Sequence, residues 1–285
     1  MKKKQNRIRR NSMSDQTIFK RYEIKYIVTR RQQVKILEGM KAYMKEDEHG
    51  KSMIQSLYYD TPDHILARRS LDKPVYKEKL RLRSYGIAND NSNVFAEIKK
   101  KYDGIVYKRR VSMNLSQARE YLPGSLSKES GRAGFNEKTF RNGLKKGSSK
   151  AQIVDEIDYF VSLYKGIKPA MMLQYERDAF YAKDDHEFRI TFDDNIRWRD
   201  YDLSLDKGFY GNRLIDRRYV LMEVKVGAAM PAWFVKILTE NRIYKTSFSK
   251  YGTAYLIETG LADRLPESTL GILDEENLTG YKQCI

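Results

Sequence analysis

Cysteine is almost missing: the single Cys284 sits beside the C-terminus, which leaves neither a disulfide framework nor a cysteine-ligated metal centre. Histidine is scarce as well. The three residues are His49 and His64, next to polar loop residues, and His186, which follows Asp184-Asp185. No histidine-rich metal site and no Ser-His-Asp or Cys-His nucleophile can be assembled from them. No G-x-x-x-x-G-K-[ST] segment occurs, which sets aside a P-loop nucleotide site. No apolar run approaches the ~20 residues of a membrane-spanning helix, and no apolar stretch follows the basic N-terminus as in a signal peptide. The expectation is a soluble cytoplasmic protein. No repeat of fixed period is present. Acidic residues are also short, 38 against 54 Lys and Arg, for a formal charge of +16. Such an excess points to a polyanionic partner: nucleic acid, anionic lipid, nucleotide or polyphosphate.

What the chain does have is alternation. Its 285 residues, 41% of them hydrophobic and 21 of them Tyr, suit one large strand-rich domain. Val94–Met113 reads as a β-hairpin around Asp103-Gly104, a dipeptide suited to a tight primed turn. That turn sets Tyr102 opposite Ile105, Lys99 opposite Lys108 and Glu97 opposite Arg110, so one face carries only charge. The same i, i+2 pattern returns in YEIKY (22–26), KEKLRLR (77–83), FRITFD (188–193) and LMEVKV (221–226). Each segment therefore has one apolar and one charged face. Closing such strands into a barrel, apolar faces outward against helices, would gather the charges into a hydrated cationic tunnel. A dry core could not hold them, because unpaired buried charges are too costly.

In chain order, residues 1–21 read as a basic disordered tail able to tether the protein to an acidic surface. Residues 22–257 read as one tunnel-barrel domain of class α+β, antiparallel with helices packed outside. After the first strand, Thr29-x-x-Gln32 signals a capped helix with Val34, Leu37, Met40 and Met44 at helical spacing. Further strands are expected at Met53–Tyr59, Lys77–Tyr85, Met171–Tyr181, Glu187–Phe192, Trp198–Leu203 and Tyr219–Val226. Helices are expected at Asp63–Arg69, Leu115–Leu122 and Ala151–Tyr164, within a helical section of about 114–168 that includes the Gly-, Ser- and Lys-rich 123–149. Pro231–Glu240 reads as the last helix, and residues 258–285 as an acidic, poorly ordered end.

The cations expected to face inward are Lys25, Arg81, Arg83, Lys99, Lys108, Arg110, Arg177, Arg189, Lys225 and Lys250. Arginine forks bind phosphate oxygens bidentately and lysines act as movable point charges; so many suit a triphosphate or a longer chain. Glu223, Glu23 and Glu97 are hard oxygen ligands suited to Mg²⁺ or Mn²⁺ held jointly with phosphates. Nucleic acid ranks lowest as partner, since the aromatic residues largely alternate to the apolar face, away from the cations.

At these strands the chain resembles a known family. The succession RYEIKY (21–26), LYYDT (57–61), KLRLR (79–83), EIKKK (97–101), YERDAF (175–180), FRITFD (188–193), LMEVK (221–225) and FSKY (248–251) is similar to the VTC domain. That domain is the polyphosphate polymerase module of the vacuolar transporter chaperone, in the triphosphate tunnel metalloenzyme superfamily. The resemblance implies a tunnel barrel, ATP and polyphosphate in its lumen, and a divalent metal. On matching positions it makes Lys25, Arg81, Arg83, Lys99, Lys108, Arg177, Arg189 and Lys250 phosphate ligands and Glu223 the metal ligand. It sets Tyr175 and Ser249 beside the chain as polar groups. Hydrolases of the superfamily open with E-x-E-x-K; Arg21 stands at the first of those glutamates, which favours chain synthesis. A metal-dependent hydrolase and a non-catalytic polyphosphate-binding module are the alternatives.

Overall fold

Asp103 adopts a left-handed φ of 44°, as the first position of a primed hairpin turn requires. The strands on either side pair as the turn dictates, Lys99 opposite Lys108 and Glu97 opposite Arg110. The computed structural model describes residues 18–19, 22–48, 50–72, 74–103, 105–124 and 144–275. The basic tail at 1–17, Arg21, His49, most of 123–149 and the end from 276 lie outside the described residues.

The strands are β1 (Ile18–Phe19), β2 (Tyr22–Thr29), β3 (Met44–Glu46), β4 (Ser52–Asp60), β5 (Tyr76–Tyr85) and β6 (Asn93–Tyr102). They continue as β7 (Ile105–Asn114), β8 (Lys168–Ala182), β9 (Arg189–Arg199), β10 (Asn212–Arg213) and β11 (Tyr219–Val226). They form one sheet in the order β1-β7-β6-β5-β4-β8-β9-β11-β2, with β10 on β9 and β3 on β8. The described ladder does not close, since no pairing joins β1 to β2. Yet Phe19 and Tyr22 are three residues apart, so the two ends of the sheet lie within about 11 Å. The sheet must curl almost completely around. Lys99 on β6 reaches Glu23 on β2 at 3.5 Å across that gap.

Two apolar layers cover the outside. Under α3 (Leu115–Tyr121) and α4 (Ser149–Leu163), Leu80, Leu82, Ala96, Ile98 and Val111 pack against Ile153, Ile157 and Phe160. Lys100 and Arg109 on the same outer face pair with Glu156 of α4. On the other side, Val28, Phe192, Met222 and Val224 pack against Ile36 and Met40 of α1 (Arg30–Met40) and Phe234 of α5 (Ala232–Glu240). Thr29 and Gln32 form the reciprocal cap expected at α1. The face of α1 is rotated from expectation: Ile36 and Met40 are buried, Val34 is 54% exposed, and Met44 belongs to β3 instead.

A third cluster departs from the expected barrel with helices only outside. Ile54, Met171, Leu173, Tyr175 and Leu221 share strand parity with the charged residues, and they are covered by α6 (Lys250–Glu258). Helix α6 thus packs on the concave face, beside α2 (Ile65–Leu71), and Pro231–Glu240 is not the last helix. The expected poorly ordered end is also corrected as far as Glu275. A 3₁₀ turn at Ala262–Arg264 and a short α7 (Glu267–Leu270) lead to a bridge between Leu273 and Ile215, with Leu265 and Ile272 in the same cluster. Trp198–Leu203 is not a separate strand either. β9 runs through to Arg199, and the Asp193-Asp194-Asn195 stretch is absorbed by a bulge opposite Gln174–Glu176 and a left-handed Asn195.

Candidate functional site

Strand parity delivers the charged side chains, and two carboxylates organise them. On the β5–β6–β7 wall Glu97 is 1% exposed. Its cross-strand neighbours are Arg81 and Arg110. Arg81 Nε donates to Glu97 Oε2 at 2.7 Å, Lys108 Nζ lies 2.8 Å from Oε1, and Arg83 Nε stands 3.9 Å away. Arg83 is held further by Ser56 Oγ at 3.2 Å and the Tyr175 hydroxyl at 3.2 Å. Burial would raise the Glu97 carboxyl, but Arg81, Arg83 and Lys108 hold it far below the usual range.

The opposite wall, β8–β9–β11–β2, is built around Glu223. Arg177 Nη2 donates to its Oε2 at 2.8 Å, while Lys250 and Lys25 approach Oε1 at 3.0 and 3.3 Å. Burial opposes ionisation here too, and Lys250, Lys25 and Arg177 overcome it, keeping Glu223 well below the ordinary carboxylate value. Glu23 faces Lys225 across the ladder and lies 3.5 Å from both Lys25 and Lys99. Lysines 99 and 108, opposed on neighbouring strands, therefore each turn to a different carboxylate, which removes the conflict their register creates.

Charge remains in surplus. Burial pushes Lys108 down to about 7 and Lys79 to about 8. Lys225 falls to about 8, from burial first and then from Arg177. The Tyr58 hydroxyl, which burial alone would raise, is drawn to about 7 by Arg81, Lys79 and Arg83. For these three lysines the neighbouring carboxylates do not offset burial, and a bound polyanion would.

Most of the residues expected from sequence converge: Lys25, Arg81, Arg83, Lys99, Lys108, Tyr175, Arg177, Glu223, Lys225 and Lys250 line one space, with Glu23. Arg110 is on the same face, its guanidinium 4.8 Å from the centre of the Phe95 ring. Arg189 has the right parity, opposite Lys225, but it is exposed and its Nε donates to the His186 carbonyl. The Ser249 hydroxyl caps α6 by accepting from the Gly252 amide at 3.1 Å; that bond aims Lys250 inward. Arg21, on which the preference for synthesis over hydrolysis rested, lies outside the described residues.

Sequence reading missed Asp193, Tyr58 and Lys79. Asp193 is fully buried, bonded to Arg177 Nε and Nη2 and paired with Lys250. Tyr58 bonds Arg81 at 3.1 Å and stacks on Tyr251 at 4.6 Å. Parity alone places all three on the charged face; the partners of Asp193 come only from the fold. The expectation that aromatic residues avoid the cations is corrected: Lys250 lies 4.6 Å from the Tyr175 ring centre, Lys79 5.4 Å from that of Tyr251 and Arg81 5.9 Å from that of Tyr58.

Among the described residues, no group of three or more His, Cys, Asp or Glu gathers round one point. Glu223 and Glu23 still fit a hard divalent cation, both being ionised carboxylates on the lumen face. They fit one that takes its remaining oxygens from phosphates, as Mg²⁺-type ions do. No helix of the described residues is long and apolar enough to cross a membrane.

A model of the VTC domain family matches residues 20–258. Vacuolar transporter chaperone complex subunit 4 of Schizosaccharomyces pombe is 27% identical over 256 residues, 80% of this chain and 34% of its own length. The protein of the same name from Trypanosoma brucei brucei is 27% identical over 232 residues, 70% of this chain and 28% of its own. The chain thus spans about a third of the length of these curated relatives. Among solved structures, an adenylyl cyclase-type protein from Hippeastrum with dominant triphosphatase activity overlays with a TM-score of 0.43 and 14% identity, covering 84% of this chain and 95% of that one.

Proposed function

Because the chain belongs to the VTC domain family, we propose that it transfers the γ-phosphoryl group of ATP to the end of a phosphate or polyphosphate chain held in the tunnel, on the cytoplasmic side. The observation that carries this reading is the cationic lumen with Glu223 at its centre, ringed by Lys25, Arg177 and Lys250. In the transfer, the bond from the γ-phosphorus to the β–γ bridging oxygen breaks. A bond to a terminal oxygen of the acceptor chain forms, and ADP leaves. The acceptor oxygen is already anionic, so no side-chain base is needed. Arg81, Arg83 and Lys108 hold the chain along one wall. Arg177 and Lys250 lie against the reacting phosphates and neutralise charge as it shifts to the leaving group. Glu223 and Glu23 would hold a Mn²⁺ or Mg²⁺ ion, which when bound supplies further positive charge to the phosphate oxygens.

The test is incubation with ATP, a short phosphate primer and Mn²⁺ or Mg²⁺, with products resolved on a gel. A polyphosphate ladder appearing with ADP is expected. Release of phosphate or pyrophosphate without a ladder would make the protein a hydrolase, and tight, salt-sensitive binding without turnover would make it a binding module. Glu223→Gln should reduce ladder formation at least about a hundredfold without weakening polyphosphate binding, since it removes an anion and no cation. Full activity in that variant would refute the role given to Glu223.

A further inference from the structure

Two interior carboxylates are left without a task by this reading: Asp193, which is 0% exposed, and Glu97, which is 1% exposed. Each sits on a different wall and each grips the cations that would otherwise meet the ligand. Asp193 accepts from Arg177 Nε at Oδ1 and from Nη2 at Oδ2, the two-point fork a guanidinium also offers a phosphoryl group, and it pairs with Lys250. Those bonds occupy Nε and Nη2 and fix the plane of the guanidinium. Glu97 holds Arg81 at one point, accepting from Nε at Oε2, and pairs with Lys108 through Oε1. Neither belongs to a cluster of metal-ligating side chains among the described residues.

We propose that Asp193 and Glu97 are resident counter-anions, positioning residues that orient the phosphate-binding cations from behind while cancelling enough of their charge for a bound chain to leave. A tunnel lined by cations alone would hold polyphosphate too tightly to turn over, because each added phosphate brings another favourable pair. Buried charges of one sign would also repel one another in the empty protein. Two interior carboxylates moderate both effects. This inference rests on the tunnel being a polyanion site, but not on its making chains.

The test is a binding titration with inorganic tripolyphosphate at fixed pH and salt, using wild-type protein, Asp193→Asn and Glu97→Gln. Each substitution keeps shape and one acceptor while deleting one negative charge. Each should tighten binding about tenfold, or about 1.4 kcal/mol. Multiple-turnover rates should fall as product release slows. Weaker or unchanged tripolyphosphate binding in folded variants would overturn the proposal and leave both carboxylates as scaffold. If Asp193→Asn does not fold, Glu97→Gln carries the same test from the other wall; failure of both to fold would also overturn it. A wild type that makes no chains while the variants bind more tightly would refute polymerisation and keep this inference.

Discussion

Around Tyr251 the concave face is dry: Ile54, Met171, Leu173 and Leu221 pack on Ala254 and Tyr255, and the Tyr251 hydroxyl donates to the buried Asp60 at 2.6 Å. Around Glu223 and Glu97, on the same face of the same sheet, lysines and arginines outnumber carboxylates, and burial brings Lys79, Lys108 and Lys225 down to about 7 or 8. Strand parity is identical in the two halves; what differs is the cover. Helix α6 fills one half and stops at Lys250, whose side chain enters the other. A single helix start therefore divides a stabilising core from a site kept under electrostatic strain. A core tolerates no added charge; a site of this kind gains from losing one.

Moving charge across that division gives the largest expected effect. Ala254 is fully buried in the dry half, so Ala254→Lys should cost more than about 4 kcal/mol, or prevent folding, because the ammonium finds no partner there. Thermal unfolding measures it, and a loss below about 1 kcal/mol would mean that α6 does not seal that end.

The next effect comes from pH. Lys108 near 7 and Lys79 and Lys225 near 8 lie below their ordinary values in the empty tunnel, and a bound polyanion would restore them. Binding should therefore take up protons, and affinity should be full below pH 7 and fall as pH rises through 7 and 8. Tyr58, near 7, ionises in the same window and adds to the loss. Lys25 and Lys250 are raised above their ordinary value and stay charged throughout. Even partial restoration of the three lysines should lower the affinity for long polyphosphate, whose interior groups keep one charge each, by at least about thirtyfold between pH 6.5 and 9. Stability of the empty protein should move the other way. The unfolded lysines, near 10.4, bind more protons than the folded ones over this range, so stability rises with pH. Calorimetry in buffers of different ionisation enthalpy reads the proton uptake; its absence at pH 8 would contradict the surplus of cations.

A smaller effect sharpens the same contrast. Lys225→Met removes one ammonium from the strained half and should stabilise the empty protein by about 1 kcal/mol, while weakening tripolyphosphate binding. Destabilisation would show that Lys225 is balanced by Glu23 rather than in excess.

The strained half was largely legible because period two is a strong signal and an Asp-Gly turn fixes a hairpin's register. Lys99, Lys108, Glu97 and Arg110 stand where that register put them. The dry half was not. Helix α6 carries Gly252 and Thr253, weak helix formers, and is buried on nearly every side from Tyr251 to Leu256, so it shows no apolar stripe. Asp193 was read as one more step in an alternation, because its meaning depends on Arg177 and Lys250, which are brought to it only by the fold. Tyr58 was grouped with Tyr59 although the two face opposite sides. The bulge after Gln174 also hid the continuity of β9, since Asp193-Asp194-Asn195 has the composition of a turn.

The smallest effect tests the joint between the halves. Tyr251 follows Lys250, stacks on Tyr58 and bonds Asp60, and Asp60 also accepts from the backbone amides of Thr61, Leu66 and Ala67 at the start of α2. Tyr251→Phe keeps the stacked ring and deletes only the hydroxyl. Asp60 retains its three amide donors, so the loss of stability should stay near 1 kcal/mol or below. The catalytic consequence follows from position: the first turn of α6 loses its tie to β4, and Lys250 is the residue next to it. Turnover should fall about fivefold with KM for ATP nearly unchanged, because the Arg81–Glu97–Lys108 wall, which grips the chain, is untouched. A fivefold rise in KM at constant kcat would instead show that Tyr251 serves binding through Tyr58 and Arg81. The two halves would then communicate through the stacked rings and not through the start of the helix.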